Sequence, residues 1–130
     1  MDIGDMRRDF ESEGMDRDAL SDDPVRQFGT WFGDAREAGI LEPNAMSLAT
    51  TGANNMPDLR TVLLKYFDER GFVFYTNYES RKAQEIAENP RAALLFPWIG
   101  LNRQVRIQGQ VEKVSKTESL KYFASRPRGS

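Results

Sequence analysis

The first clear hydrophobic pattern along the chain is helical. Apolar side chains recur every three or four residues from Val25 to Ala35, and Asp23-Pro24 stands directly before them. An aspartate at the N-cap and a proline in the first turn are typical of a helix start. Gly39 follows the pattern, so the sequence predicts a helix that begins after Asp23 and ends before Gly39.

The pattern then changes to that of β-strands. Residues 46–51 alternate between apolar and polar, the turn-forming segment 52–55 follows, and residues 59–66 form a second strand-like run. These segments predict a β-hairpin. A turn signal at 68–71 leads into the β-branched and aromatic run 72–76, which is predicted to lie antiparallel to the second strand.

The second half of the chain combines a short helix with two more strands. Ser80 is the predicted N-cap of a helix that Pro90 ends. Residues 91–98 and 103–114 predict a fourth and a fifth strand, and a capping box at 115–118 predicts a final helix. Short strands joined by hairpins, with helices between pairs, predict a mainly β fold, an antiparallel barrel with peripheral helices.

Composition limits the chemistry that this barrel can carry. The 130 residues include no Cys and no His. This absence excludes metal sites with Cys or His ligands, disulfides, and nucleophiles that are activated by His. We expect no metal at the site. A redox reaction would need a borrowed cofactor.

Charge is unevenly distributed along the chain. Residues 1–23 contain nine acidic and three basic residues, whereas residues 24–130 contain 11 acidic and 15 basic ones. We expect an acidic, flexible segment over 1–22 and a mildly basic domain over 23–130 that binds anions; an ordinary solvated surface is the alternative. The dispersed basic residues argue against nucleic-acid binding. The absence of a long apolar run or a leader predicts a cytoplasmic protein with no membrane segment.

Two pairs of cations stand where a ligand could bind. Arg81 and Lys82 follow Ser80 in the first turn of the short helix, where cations oppose the helix dipole unless an anion is bound, which predicts a phosphate cradle. Two solvated surface cations are the alternative. Arg60 and Lys65 flank an apolar run. Regular alternation puts them on opposite faces, so a shared site needs a bulge, a twist or a ligand at the strand edge.

Six short segments, which are weak signals one by one, together form a specific pattern because of the order in which they occur along the chain. They are Arg60-Thr-Val-Leu-Leu-Lys65, Phe74-Tyr-Thr-Asn77, Ser80-Arg-Lys-Ala83, Leu94-Leu-Phe-Pro-Trp98, Arg103-Gln-Val105 and Tyr122-Phe-Ala-Ser-Arg-Pro-Arg128. With these segments the chain resembles the pyridoxamine 5′-phosphate oxidase family over nearly everything from Arg7 onward. The resemblance implies the FMN-binding split barrel, in agreement with the barrel expected above.

The resemblance also implies an activity and a set of ligand contacts. In that family a homodimer binds FMN at the subunit interface and oxidises pyridoxamine or pyridoxine 5′-phosphate to pyridoxal 5′-phosphate, with dioxygen as acceptor. The flavin carries the redox step, so no side chain is expected to be catalytic. Implied FMN contacts are Arg60, Thr61, Val62, Leu63, Leu64, Lys65, Tyr75, Thr76, Arg81, Lys82 and Gln104. Implied substrate contacts are Lys65, Tyr122, Arg126, Ser130 and Arg7.

Two departures from the family pattern accompany the resemblance. Arg7-Arg-Asp-Phe10 ends in Phe where the family has Tyr, so a hydroxyl contact is missing. Family members continue beyond Ser130 into a segment with further FMN and substrate contacts, so we expect this chain to be the N-terminal portion of a longer protein. Two alternatives stay open: a flavin- or pyridoxal-phosphate-binding module without turnover, and a split-barrel reductase that uses another flavin or a deazaflavin.

Overall fold

The computed structural model describes residues 1–6, 15–77 and 79–114. Its principal elements, in chain order, are α1 (Pro24–Glu37), β1 (Ala45–Thr51), β2 (Pro57–Asp68), β3 (Gly71–Phe74), α2 (Arg81–Glu88), β4 (Arg91–Phe96) and β5 (Val105–Gln110). Single 3₁₀ turns cover Arg17–Ala19 and Ile99–Leu101. The predicted mainly β architecture is confirmed. The final helix predicted from residue 115 onward lies outside the described residues.

All five strands join one antiparallel sheet in the order β3-β2-β1-β4-β5. Leu48 of β1 lies opposite Arg60 of β2 and opposite Leu94 of β4, and Leu94 in turn lies opposite Ile107 of β5. Directly opposite residues of an antiparallel pair point to the same face. This row of four therefore lies on one face of the sheet, and Arg60 is the charged residue in the row.

The hydrophobic core lies between that face and α1. Phe28 and Ala35 of the helix pack against the buried sheet residues and Trp98; the other members of the buried cluster are Met46, Leu48, Leu64, Leu94 and Phe96. The Phe28 ring lies 4.9 Å from the Phe67 ring and 5.0 Å from the Phe96 ring, centroid to centroid. Such aromatic pairs stabilise a core beyond their buried area. Helix α1 thus covers part of this face and packs against its apolar residues.

A β-bulge interrupts β2 at the position that matters for the predicted site. The β2–β3 register shifts between Leu64 and Tyr66. Leu64 before the shift and Phe67 after it both pack in the core, so the inward positions change from even to odd numbers. Lys65 is the extra residue. The alternation is therefore regular from Arg60 to Leu64 and changes only after it, and Lys65 at the bulge is exposed while Arg60 points inward.

Backbone chemistry shortens two strands at the β4–β5 connection. β4 ends at Phe96, not at residue 98 as predicted, because Pro97 has no N–H to donate to the ladder. Trp98 instead buries its indole ring in the core. β5 begins at Val105, not at residue 103, because the Arg103 N–H bonds to the Trp98 carbonyl and closes the turn.

Two other strand ends differ from prediction because their partners stop. β5 ends at Gln110, not at residue 114, opposite Arg91, the first residue of β4 after Pro90. β3 ends at Phe74, not at residue 76, because its ladder with β2 ends at the Leu64–Phe74 pair. The length of each of these strands depends on the strand that pairs with it, and the local sequence does not show where that partner ends.

Candidate functional site

The N-terminus of α2 forms as predicted. The Ser80 hydroxyl caps the helix by accepting from the Ala83 N–H at 3.3 Å, and its oxygen lies 3.3 Å from the Thr76 hydroxyl oxygen. Arg81 and Lys82 are the first two helical residues, and no acidic residue occurs in the first turn. Two hydroxyls, two cations and the positive end of the helix dipole are a donor set that suits a phosphate group.

Arg60 lies in a polar network between β1, β2 and α2. Its Nη1 donates to the Leu48 carbonyl at 3.0 Å and to Thr50 Oγ1 at 2.7 Å. Its Nη2 lies 3.2 Å from Asp58 Oδ2 and 3.8 Å from Glu85 Oε2. The Thr50 hydroxyl itself donates to Glu85 Oε2 at 2.7 Å. The chain's own acceptors therefore fix the Arg60 guanidinium, and its side chain is only 21% exposed.

Arg81 reaches the same two carboxylates but is held loosely. Its Nε lies 4.0 Å from Asp58 Oδ2 and 3.8 Å from Glu85 Oε1, and its side chain is 81% exposed. Exposed ion pairs at such distances contribute little. Arg81 is therefore able to turn toward an incoming anion, whereas Arg60 is already oriented.

The Asp58 carboxyl is held in its ionised form. A hydrogen bond from the Leu59 N–H and the nearby Arg60 guanidinium lower the pKa of Asp58 below its ordinary value. Its ion pair with Arg60 is thus complete at neutral pH. The two arginines are matched by two carboxylates, Asp58 and Glu85.

Other predicted cofactor residues lie along β2 and after β3. Thr61 and Lys65 are exposed, whereas Val62, Leu63, Tyr75 and Thr76 are half-buried. Leu64 differs from them because it packs in the core, and Asn44 takes up both of its backbone polar groups. The contact implied at Leu64 stays a prediction that rests on the resemblance alone.

Comparison with known proteins decides the family. Residues 32–130 match the family model described as pyridoxamine 5′-phosphate oxidase. The chain belongs to the pyridoxamine 5′-phosphate oxidase family. The pyridoxine/pyridoxamine 5′-phosphate oxidase of Crocosphaera subtropica is 62% identical over 130 residues, which are 100% of this chain and 61% of that protein. The chain therefore spans about three-fifths of the length of this relative.

Solved structures confirm the split-barrel fold. PhzG from Burkholderia lata, in complex with tetrahydrophenazine-1-carboxylic acid, matches 88% of this chain and 58% of its own with a TM-score of 0.80 and 27% identity. A pyridoxamine 5′-phosphate oxidase-related, FMN-binding protein from Nostoc punctiforme matches 78% of this chain and 55% of its own, with a TM-score of 0.61 and 22% identity. The second likeness shows the fold alone.

One residue that the family resemblance assigns to FMN, Gln104, lies far along the sheet from the others. It is exposed and stands directly before β5, and β1 and β4 separate that strand from β2. At about 4.8 Å per strand, β5 lies roughly 14 Å from β2 along the sheet. The neighbouring Arg103 is anchored on α1, 2.9 Å from Asp34 Oδ2 and 4.7 Å from the Trp31 ring centroid. Within one chain the structure does not bring Gln104 beside Arg60.

The sequence analysis missed Thr50, Asp58 and Glu85 as parts of this site. Two signals were present: Thr50 occupies an inward position in the alternation of β1, and Glu85 stands four residues after Arg81, the spacing of a helical ion pair. Neither signal indicates that Thr50 and Glu85 both contact Arg60. The Thr50–Arg60 contact depends on the pairing of β1 with β2.

Four implied substrate contacts, Arg7, Tyr122, Arg126 and Ser130, lie outside the described residues and stay predictions. Within residues 1–6, 15–77 and 79–114, no helix has the length and apolar character needed to cross a membrane.

Proposed function

We propose that this chain forms part of an FMN-dependent oxidase that converts pyridoxamine or pyridoxine 5′-phosphate to pyridoxal 5′-phosphate, with dioxygen as electron acceptor, in the cytoplasm. Membership of the pyridoxamine 5′-phosphate oxidase family supports the reaction class. The observation that carries the proposal is the α2 N-terminus, where Arg81, Lys82 and the Ser80 hydroxyl stand beside the oriented Arg60. This arrangement suits the phosphate of FMN.

When bound, FMN would supply the two-electron redox chemistry. Ser80, Arg81 and Lys82 would hold its phosphate through charge-assisted hydrogen bonds. Lys65, the exposed residue at the bulge in β2, would contribute a further cation to the cofactor and the substrate phosphate. The protein's part in the reaction is to bind and orient both ligands.

The proposal includes a homodimer in which two copies share each flavin. Its support is the position of Gln104, about three strand spacings from β2 in the same chain. A second copy can offer its own Gln104 to a flavin that the first copy holds through Arg81. The site is then completed by assembly and not by folding alone.

Substitution of Arg81 tests the phosphate cradle. Arg81→Glu should weaken FMN binding by about 10- to 100-fold, because a hydrogen bond between charged groups contributes about 1.5–3 kcal/mol. Riboflavin, which lacks the phosphate, should lose little affinity. Both affinities are measured by quenching of flavin fluorescence on titration with the purified chain.

Arg26→Glu is the matched control, since this exposed arginine belongs to α1. It should leave both affinities unchanged. Equal weakening of FMN and riboflavin by Arg81→Glu would rule out a phosphate contact there.

Turnover is measured separately, as peroxide release from pyridoxine 5′-phosphate by the FMN-loaded chain. Peroxide release supports the oxidase. A chain that binds FMN with micromolar affinity and releases none is a binding module without turnover, the alternative left open by the sequence. A chain that binds no FMN contradicts both.

A further inference from the structure

Thr50 is an unexpected residue in the core. Among the described residues it is the one polar side chain in the buried class, with 2% of its surface exposed. Its inward neighbours on β1, Met46 and Leu48, are fully buried apolar residues. A hydroxyl in such a place costs free energy unless it is hydrogen-bonded, so a valine would be the simpler occupant.

The hydroxyl of Thr50 is used in both directions. It accepts from Arg60 Nη1 at 2.7 Å and donates to Glu85 Oε2 at 2.7 Å. A threonine hydroxyl has a single proton to donate. The hydroxyl donates its one hydrogen bond to the Glu85 carboxylate and accepts from the Arg60 guanidinium, so one buried oxygen orients two charged side chains.

Glu85 belongs to α2, so its hydrogen bond with Thr50 ties this helix to β1. It lies one helical turn after Arg81 and pairs with that arginine at 3.8 Å. One turn further, Glu88 accepts from the Ala53 N–H at 2.8 Å and so ties the helix to the turn after β1. Helix α2 is thus attached to β1 through Thr50 and to the following turn through Ala53, and the Thr50–Glu85 contact is the one nearer to the N-terminus of the helix.

We propose that Thr50 is a positioning residue for anion binding, which orients Arg60 directly and, through Glu85, holds the N-terminal half of α2 against β1. The inference rests on the proposed function, because that function places FMN at the N-terminus of α2 beside Arg60. Thr50 is too deeply buried to touch the ligand. Without its hydroxyl, Arg60 loses an acceptor at Nη1, Glu85 loses its donor, and both long side chains regain rotamers that binding must then remove.

The test compares Thr50→Val, which keeps the shape and charge of the side chain, with Thr50→Ser, which keeps the hydroxyl. Thr50→Val should weaken FMN binding about tenfold, while riboflavin affinity changes less than about twofold. Thr50→Ser should restore FMN affinity to within about threefold of wild type. Thr51→Val is the matched control on the opposite face of β1 and should change neither affinity. Circular dichroism and a thermal melt establish that each variant is folded.

Several outcomes overturn the positioning role. It is wrong if folded Thr50→Val binds FMN as wild type does, if it loses FMN and riboflavin affinity equally, or if Thr50→Ser fails to restore binding. If Thr50→Val does not fold, Thr50→Ala replaces it against Thr50→Ser, because alanine removes the hydroxyl without placing a methyl group beside two charges. A wild-type chain that binds no FMN contradicts the proposed function and the positioning role together. Wild-type binding with unchanged Thr50→Val contradicts the positioning role alone.

Discussion

At the scale of single residues, the proposed phosphate site is closer to electrical neutrality than its arginines suggest. Arg60 and Arg81 share the carboxylates of Asp58 and Glu85. The excess positive charge at this point therefore comes from Lys82 and from the dipole of α2. The carboxylates orient the guanidiniums, and the helix end provides the attraction for an anion.

The pH dependence of stability should report the Asp58 carboxylate, which the Leu59 N–H and then the Arg60 guanidinium hold in its ionised form. The pKa of Asp58 is lower in the folded chain than the ordinary 3.8, so the ionised carboxylate stabilises the fold above that value. This contribution is lost as the pH falls through the folded pKa. Asp58→Asn should lower the midpoint of urea denaturation at pH 7, and the difference from wild type should shrink once the pH falls below 3.8. A difference that stays constant on acidification would show that the carboxylate charge is not responsible.

At the scale of elements, the attachment of α2 to the turn after β1 depends on close packing at Gly52. A Cβ at this position would lie 2.9 Å from Glu88 Oε2 and 3.1 Å from Glu85 Cγ. Both glutamates hold the helix, and the Glu88 oxygen is already bonded to the Ala53 N–H. A Cβ here would displace the Glu88 carboxylate from the Ala53 N–H and press on the Glu85 side chain.

Gly52→Ala should therefore destabilise the chain by about 1 kcal/mol and weaken FMN binding, because the Glu85 and Glu88 side chains that hold α2 must shift. Gly33→Ala is the matched control within α1, where a Cβ would meet nothing within 4 Å. It should stabilise the chain by about 0.5–1 kcal/mol, the usual gain of alanine over glycine inside a helix. Thermal denaturation measures both. Equal effects of the two substitutions would contradict close packing at Gly52.

The elements also show which features the sequence can predict. Both helix starts were correct, because Asp23 and Ser80 cap through hydrogen bonds to residues two or three positions away. Strand ends were less accurate, since each depends on a partner that is distant in sequence. A bulge was one of three ways in which Arg60 and Lys65 could share a site, and the position of the bulge in β2 follows from its pairing with β3. The Thr50–Arg60 contact depends likewise on the β1–β2 register.

At the scale of the whole molecule, one face of the sheet has no helix on it in the described part of the chain. Both α1 and α2 pack on the face of Leu48 and Thr50. The opposite face carries half-buried Ala49 and Ala93 beside Leu59, which is 67% exposed. A homodimer that shares the flavin would have a surface here on which to form, and Gln104 lies at the far end of the same sheet.

Mixing two defective variants tests whether the flavin site is shared between copies. Arg81→Glu and Gln104→Ala should each bind FMN weakly as homodimers. If Arg81 of one copy and Gln104 of the other meet one flavin, a mixed dimer has one intact site and one site with both defects. Equal mixing with free exchange should then return about a quarter of all sites to wild-type affinity, because a two-fold dimer contains two equivalent sites.

Flavin fluorescence quenching measures the recovered high-affinity fraction, and native mass spectrometry confirms by mass that mixed dimers have formed. Addition of FMN should also raise the dimer fraction of the wild-type chain, since a ligand bound across an interface stabilises the assembled state. Mixed dimers that recover no high-affinity site would show that each copy completes its own. Gln104 would then have to reach the flavin across its own sheet, over the roughly 14 Å that separates β5 from β2.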